Sequence, residues 1–275
     1  MLRVAVRVRR QHAELVLAEL LTLAPSGIEE VDAGPGVVEY AVYGSPGELP
    51  ALPDLKAAAG GALVEVRTDE IADDWSERWR LFHRPVVFDG RLTVRPPWEP
   101  PSSATPVEVV LDPGQAFGTG AHATTRLCLE LMLELEPGGG FVDLGCGSGV
   151  LAIVAARLGW SPVVALDNDT AAVAAASANA RVNGVVIDVR RHDLRVEPIV
   201  VAPTVAANLV APLLRVWAAR LASRAPEPLR VIAGGVLVDE ADSVIRAFEG
   251  AGLREMSRRS DGEWVAVVLE SPAPQ

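Results

Sequence analysis

Lysine is almost missing from this 275-residue chain: of its 25 Lys and Arg residues only Lys56 is lysine, in the alanine-rich stretch "DLKAAAG". That scarcity excludes two kinds of chemistry. No G-x-x-x-x-G-K-[ST] phosphate loop can be written, so the chain is not a P-loop ATPase. A pyridoxal Schiff base would have to use Lys56, which sits in an ordinary helical stretch. Cysteine is scarce too: Cys128 lies in a helix-like segment and Cys146 in a glycine turn. Both read as free thiols of a reducing cytoplasm. Four scattered histidines without a Cys/His cluster give no reason to expect a metal. No run of about 18 apolar residues suggests a membrane span. The N-terminal "MLRVAVRVRRQHAELVLAEL" has no apolar block closing on a cleavage site, so a cytoplasmic protein is expected.

Positive charge is also in deficit. The formal net charge of -11 argues against general affinity for nucleic acid, which runs on clustered cations. It suits a basic protein partner, and it suits plain solubility equally well. At 49% hydrophobic residues the chain can bury a core, in two domains rather than one. Nothing in the sequence speaks for an oligomer, and a monomer is the default.

The chain falls into three stretches. Residues 1–68 read β-α-β-β-α-β: "LRVAVRV" alternates, "QHAELVLAELLTLAPSG" has helical spacing, and two short strands flank Gly34-Pro35-Gly36. "PALPDLKAAAGG" is helical and "ALVEVRT" is a strand, which completes the ferredoxin-like order of a small α+β domain. Residues 69–105 read as a connector with a short helix at "DDWSERWRLF" and an extended end at "RPPWEPPSSATP". Its Trp75, Trp79 and Trp98 are expected to pack it against a domain. In residues 106–275 apolar strands ("FVDLG", "PVVALD", "TVAANL", "LRVIAGG") alternate with alanine-rich helices, the pattern of a parallel sheet covered on both faces. The tail, "GLREMSRR" then "VAVVLE", adds a closing antiparallel strand.

The chemistry concentrates in "FVDLGCGSGVLAIVAARLG", residues 141–159. An apolar strand ends at Asp143, three glycines follow at alternate positions (Gly145, Gly147, Gly149), and an amphipathic helix begins. Gly145 and Gly147 allow a sharp turn and a close approach of backbone to ligand. Ligands of such sheets bind at the carboxyl ends of the strands. The next strand ends in Asp167, whose carboxylate can take both hydroxyls of a ribose. A nicotinamide site wants G-x-G-x-x-G, but here Val150 stands where the third glycine belongs. The acids on either side of the glycines suit a nucleoside without a pyrophosphate, and S-adenosylmethionine fits that description. Upstream, "LDPGQAFGTGAHATTRLCLELM" sets Gly118, Gly120, His122, Thr124 and Thr125 before a helix, where threonines cap N–H groups or help to cover a cofactor.

Together "FGTGAHATT", "DLGCGSGVLAI", "ANL", the terminal "GEWVAVVLE" and the tryptophan-rich connector resemble the PrmA family, bacterial methyltransferases of the large-subunit ribosomal protein L11. The resemblance covers nearly the whole chain. It implies a class I (Rossmann-like) methyltransferase domain with a seven-stranded, mostly parallel sheet at 106–275, and a substrate-recognising ferredoxin-like domain at 1–68. It implies S-adenosylmethionine as cofactor, lysine side chains and an α-amino group of L11 as methyl acceptors, and neither nucleic acid nor membrane as partner. Carried over by position, the cofactor contacts fall on Thr124, Gly145, Gly147, Asp167 and Asn208. Asn208 would also orient the incoming amine, and Asp193 would stand near the adenine. Asparagine at a strand end is also a common turn residue, and Asp193 suits a simple turn equally. Two departures stand out: no acidic residue opens the strand before Asn208, and "AGGVL" replaces a usual serine-glycine pair. A methyltransferase of another amine, a noncatalytic cofactor-binding module of ribosome assembly and an NAD-dependent oxidoreductase are the competing readings.

Overall fold

The structure, a computed structural model, describes residues 2–13, 16, 17, 20, 28–34, 36–44, 49, 50, 52–70, 84–112, 122–222 and 230–272. The helix expected at "DDWSERWRLF", with Trp75 and Trp79, and the glycines Gly118 and Gly120 lie outside those residues. The chain divides into two compact units, 1–82 and 83–275.

The first unit carries strands β1 (Leu2–Arg9), β2 (Glu29–Asp32), β3 (Val37–Gly44) and β4 (Leu63–Glu70), with helix α1 (Leu52–Ala59) before β4. Residues 13, 16, 17 and 20 are helical. The sheet order is β2-β3-β1-β4 with every neighbour antiparallel, which is the ferredoxin-like arrangement. Alternation decides its faces. Val4, Val6, Val8, Val38 and Tyr40 turn into a core with Leu20 and Leu55. From the other face Arg3 and Arg7 both bind the buried carboxylate of Glu39, whose pKa they hold below the usual carboxylate range against the opposing effect of burial.

The second unit begins earlier than the connector expectation allowed. Strand β5 (Val86–Phe88) pairs antiparallel with β6 (Leu92–Arg95), and β6 pairs in parallel with β7 (Val107–Val110). Asp89 (φ +47°) and Gly90 (φ +64°) make the turn, with positive φ at both central residues as a type I′ turn requires. Residues 86–95, read as part of the connector, belong to the second unit: Phe88, Leu92 and Val94 are buried in its core.

The main sheet follows: β8 (Phe141–Leu144), β9 (Val163–Asp167), β10 (Asp188–Arg191), β11 (Thr204–Asn208), β12 (Arg230–Leu237), β13 (Arg254–Asp261) and β14 (Trp264–Glu270). Their order is β10-β9-β8-β11-β12-β14-β13, parallel except for β14, which runs antiparallel to both neighbours. Helices α2 (Ala123–Glu134), α3 (Val150–Leu158) and α4 (Thr170–Val182) share one core with Phe141 and with the small β5–β7 sheet. Helices α5 (Ala211–Leu221) and α6 (Ala241–Glu249) share the other with Val142 and Leu144. In α6 the buried set Ala241, Val244, Ile245 and Phe248 follows the i, i+3, i+4, i+7 spacing of one helix face. Trp217 of α5 meets Phe248 edge-on at 5.7 Å between ring centroids.

The strand order fixes where a ligand can sit. From β8 the chain moves outward to β9 and β10, then returns to β11 on the opposite side of β8. Helices leave the sheet in opposite directions at that junction, which opens a crevice beyond the carboxyl ends of β8 and β11. Among the described residues no helix is long and apolar enough to cross a membrane.

Candidate cofactor and substrate site

The crevice holds a cavity of about 280 Å³ lined by the turn after β8, the ends of β9 and β11, and the loop after β10. Gly145, Gly147, Asp167 and Asn208 all face it, with Asp143, Asp193 and Thr125. Thr124, the neighbour of Thr125 on α2, is buried, and its hydroxyl accepts from Asn208 Nδ2 at 3.3 Å.

The glycine turn has the geometry that the spacing promised. Gly145, Gly147 and Gly149 take φ of +77°, +51° and +81°, a region that residues with a Cβ rarely enter. The amides of Gly145 and Cys146 both donate to the carbonyl of Leu166 on β9, at 2.8 and 3.0 Å. A Cβ on Gly145 would run into the Leu209 side chain, which packs against bare backbone there. Gly149 caps α3 without a side chain, and buried Asp143 does part of that capping instead. Its Oδ2 accepts from the third amide of the helix, Ala152 N–H, at 3.1 Å. Asp143 Oδ1 is buried with no partner. Burial pushes this carboxyl up to about 7, the Ala152 N–H opposes the rise, and the negative charge of Asp167 adds to it.

Asp167 is aimed by backbone. Its Oδ2 accepts from Gly147 N–H at 2.9 Å and its Oδ1 from Asp169 N–H at 3.0 Å. Each carboxylate oxygen keeps a free lone pair, so the pair can still accept two hydroxyls. Asp193 is chelated by Arg195, whose Nε meets Oδ1 at 2.9 Å and whose terminal nitrogen meets Oδ2 at 2.8 Å. That guanidinium, with the Arg195 N–H, holds Asp193 well below the usual carboxylate range. His192, Arg195 and Leu209 also line the cavity, and the sequence reading singled out none of them. Arg195 was findable, two residues after Asp193 in "HDLRV", where an Asx turn brings the two side chains together.

At the end of β11, Asn208 pairs with Gly234 of β12. Its Nδ2 also lies 3.4 Å from Thr125 Oγ1. The departure "AGGVL" has a steric reason in this chain. A Cβ on Gly234 would collide with Cys128 Sγ. A Cβ on Gly235 (φ +77°) would stand 2.7 Å from the Leu209 carbonyl oxygen and 3.0 Å from Asn208 Oδ1. The two glycines leave the Asn208 carboxamide its room.

These residues suit a nucleoside cation such as S-adenosylmethionine: a cradle without side chains, a ribose-type carboxylate on the neighbouring strand, and an unpartnered buried carboxyl oxygen. The family model for ribosomal protein L11 methyltransferase (PrmA) matches residues 52–272. The chain belongs to the PrmA family. Curated members include a ribosomal protein L11 methyltransferase of Symbiobacterium thermophilum, 37% identical over 226 residues, or 80% of this chain and 74% of that protein. One from Pelotomaculum thermopropionicum is 39% identical over 218 residues, covering 78% and 71%. Among solved structures, a ribosomal protein L11 methylase of Lactobacillus delbrueckii subsp. bulgaricus superposes with a TM-score of 0.61 at 24% identity, over 70% of this chain and all of that one. That likeness establishes the fold.

Proposed function

We propose that this PrmA-family chain transfers methyl groups from S-adenosylmethionine to amines of the large-subunit ribosomal protein L11, lysine side chains and the α-amino group among them. The observation that carries the reading is the meeting, at one end of the sheet, of the glycine turn and Asp167 with Asn208. In this reading Asp167 holds the ribose, the Gly145–Gly147 backbone lies against the cofactor, and Asp193 stands at the adenine end. The first unit binds the ribosomal protein, and a net charge of -11 favours approach of a basic partner.

The cofactor supplies a methyl group already activated on a positively charged sulfur. What the chain must add is alignment. Asn208 Oδ1 accepts an N–H of the neutral amine, which directs the nitrogen lone pair along the axis of displacement. The amine gives up its proton to water before transfer, so no strong base is required at the site.

The test is mass spectrometry of purified L11 after incubation with this protein and S-adenosylmethionine. Mass increments in steps of one methyl group, absent with an Asp167→Ala control, are expected. Measured cofactor binding without any increment would sink the assignment to L11.

A further inference from the structure

His122 stands immediately before α2, and its ring meets the Asn208 network from behind. His122 Nδ1 lies 3.3 Å from the backbone N–H of Thr124 and 2.9 Å from Thr124 Oγ1. A backbone N–H can only donate, so Nδ1 carries a lone pair and the ring is unprotonated there. The Thr124 hydroxyl then points its proton at Nδ1 and keeps its own lone pairs for a donor. That donor is Asn208 Nδ2 at 3.3 Å, with Thr125 Oγ1 as its second acceptor at 3.4 Å. Donation runs one way, from Asn208 to Thr124 to His122.

This direction settles which end of the Asn208 carboxamide is left over. Flipping the amide would set Oδ1 against a hydroxyl whose proton is already committed, two acceptors face to face. With the amide as it stands, Oδ1 lies beside Gly235 and stays available as an acceptor. An acceptor binds an amine through its N–H and leaves the nitrogen lone pair free, whereas an NH2 would occupy that lone pair.

We propose that His122 is a positioning residue for methyl transfer: its acceptor nitrogen, acting through the Thr124 hydroxyl, fixes Asn208 with Oδ1 toward the amine. The kinetic part rests on the function proposed above, while the hydrogen-bond chain does not. Protonation of His122 at Nδ1 removes the acceptor for both Thr124 groups and releases the carboxamide. Trp264 of β14 meets the ring edge-on at 5.4 Å, and on the elements packed there Arg126, one turn along α2, is ion-paired with Asp261 of β13 at 3.1 Å. Cys128 on the same helix is a neutral thiol, pushed by burial up to about 12. The packed edge of the otherwise exposed His122 ring is desolvated, which keeps it neutral to lower pH than an ordinary histidine.

Two measurements test this, and His122→Asn is the informative variant. Asparagine is a good N-cap and keeps an acceptor for Thr124 N–H without titrating. With S-adenosylmethionine and L11 both saturating, the variant-to-wild-type ratio of kcat rises at least about threefold between pH 7.5 and pH 5. The ratio cancels the titration of the substrate amine and of Asp143, which both proteins share. His122→Ala lowers kcat per active site, counted by titration with S-adenosylhomocysteine, about tenfold at pH 7.5 with KM for the cofactor within about twofold, and counting sites removes any loss of folded protein from the comparison. A flat pH ratio for His122→Asn overturns the proposal. Independently of any turnover, NMR of the Asn208 side-chain amide follows the His122 titration in wild type and is pH-invariant in His122→Asn. Wild-type amide resonances that ignore that titration overturn it as well. If wild type fails to methylate L11, the function proposed above falls, and the NMR result still decides the positioning role.

Discussion

Asp143 offers the sharpest physical test of the site, through Asp143→Asn. The carboxyl is buried under the glycine turn, one oxygen has a single N–H and the other has none. Asparagine is nearly isosteric and its Oδ1 can still accept from Ala152 N–H, so the variant removes a charge and little else. The native carboxyl titrates near 7 in place of its ordinary 3.8. A pKa raised by folding gives stability that is fully present below the unfolded value and is lost as pH climbs to the folded value. The loss therefore accumulates between pH 3.8 and about 7 and is complete above it. At about 1.4 kcal/mol per tenfold it reaches about 4 kcal/mol at pH 8 and about 1–2 at pH 5. The stability of Asp143→Asn relative to wild type should thus improve by about 2–3 kcal/mol on going from pH 5 to pH 8. Urea denaturation of both proteins at the two pH values, without cofactor, reads that difference directly. Any fixed packing penalty of the asparagine cancels, because it is the same at both. A stability difference that does not change with pH would refute the reasoning, since it would mean that the folded carboxyl is already ionised at pH 5, as an ordinary aspartate is.

Three further outcomes are expected. Asp167→Ala should weaken binding of S-adenosylhomocysteine about 100-fold by calorimetry, from the loss of two hydroxyl bonds to a charged acceptor; a Kd within threefold of wild type would remove Asp167 from the site. Gly149→Ala should destabilise the fold by about 2–4 kcal/mol in denaturant, because it combines a left-handed φ with overpacking. Its Cβ would stand 2.9 Å from the Cβ of Ala176 and 3.1 Å from that residue's Cα on α4, and a loss under about 1 kcal/mol would mean that α4 gives way easily. Trp217→Ala should cost about 3–5 kcal/mol of stability, since the indole is 1% exposed and packs on Phe248; cofactor affinity per folded molecule should stay put, and a change there would show that α5 shapes the cavity.

The parts of the fold legible in the sequence were those where apolar period and glycine spacing agreed. The β8 strand, its turn and α3 combine a continuous apolar run, three glycines and a helix-spaced set, so local and long-range preferences point the same way. Asp167 was placed because a strand as apolar as "PVVALD" must end at the rim. The β10 strand escaped notice because "DVRR" is a polar sheet edge with nothing apolar to alternate. The β5–β6 hairpin announced itself through Asp89-Gly90, but its strands of three and four residues sit among prolines and were absorbed into the connector. That Asn208 reaches both threonine hydroxyls was hidden because Thr124 and Thr125 lie 84 and 83 residues away from it in sequence. Asn179 and Asn183 were invisible for a different reason: in and directly after the alanine-rich α4 they look like solvent-facing residues. Their partners, Asp112 and Val110, are 67 and 73 residues away in sequence.

That pair of asparagines and the small sheet beside it bear on how the protein can be taken apart. Asn183 bonds both the N–H and the carbonyl of Val110, in the manner of a neighbouring strand, and Asn179 ties Asp112 N–H to the carbonyl of Ser148 in the glycine turn. One edge of β7 is thus held by helix side chains and the other by β6. A fragment cut at residue 106, where the alternating pattern begins, would keep the first attachment and strip the second. It would present a bare strand edge, with the Leu111 N–H stripped of its Arg95 carbonyl, a template for pairing with another copy of itself. Cut instead near residue 83, the catalytic half would carry its own edge protection and is the piece to purify alone.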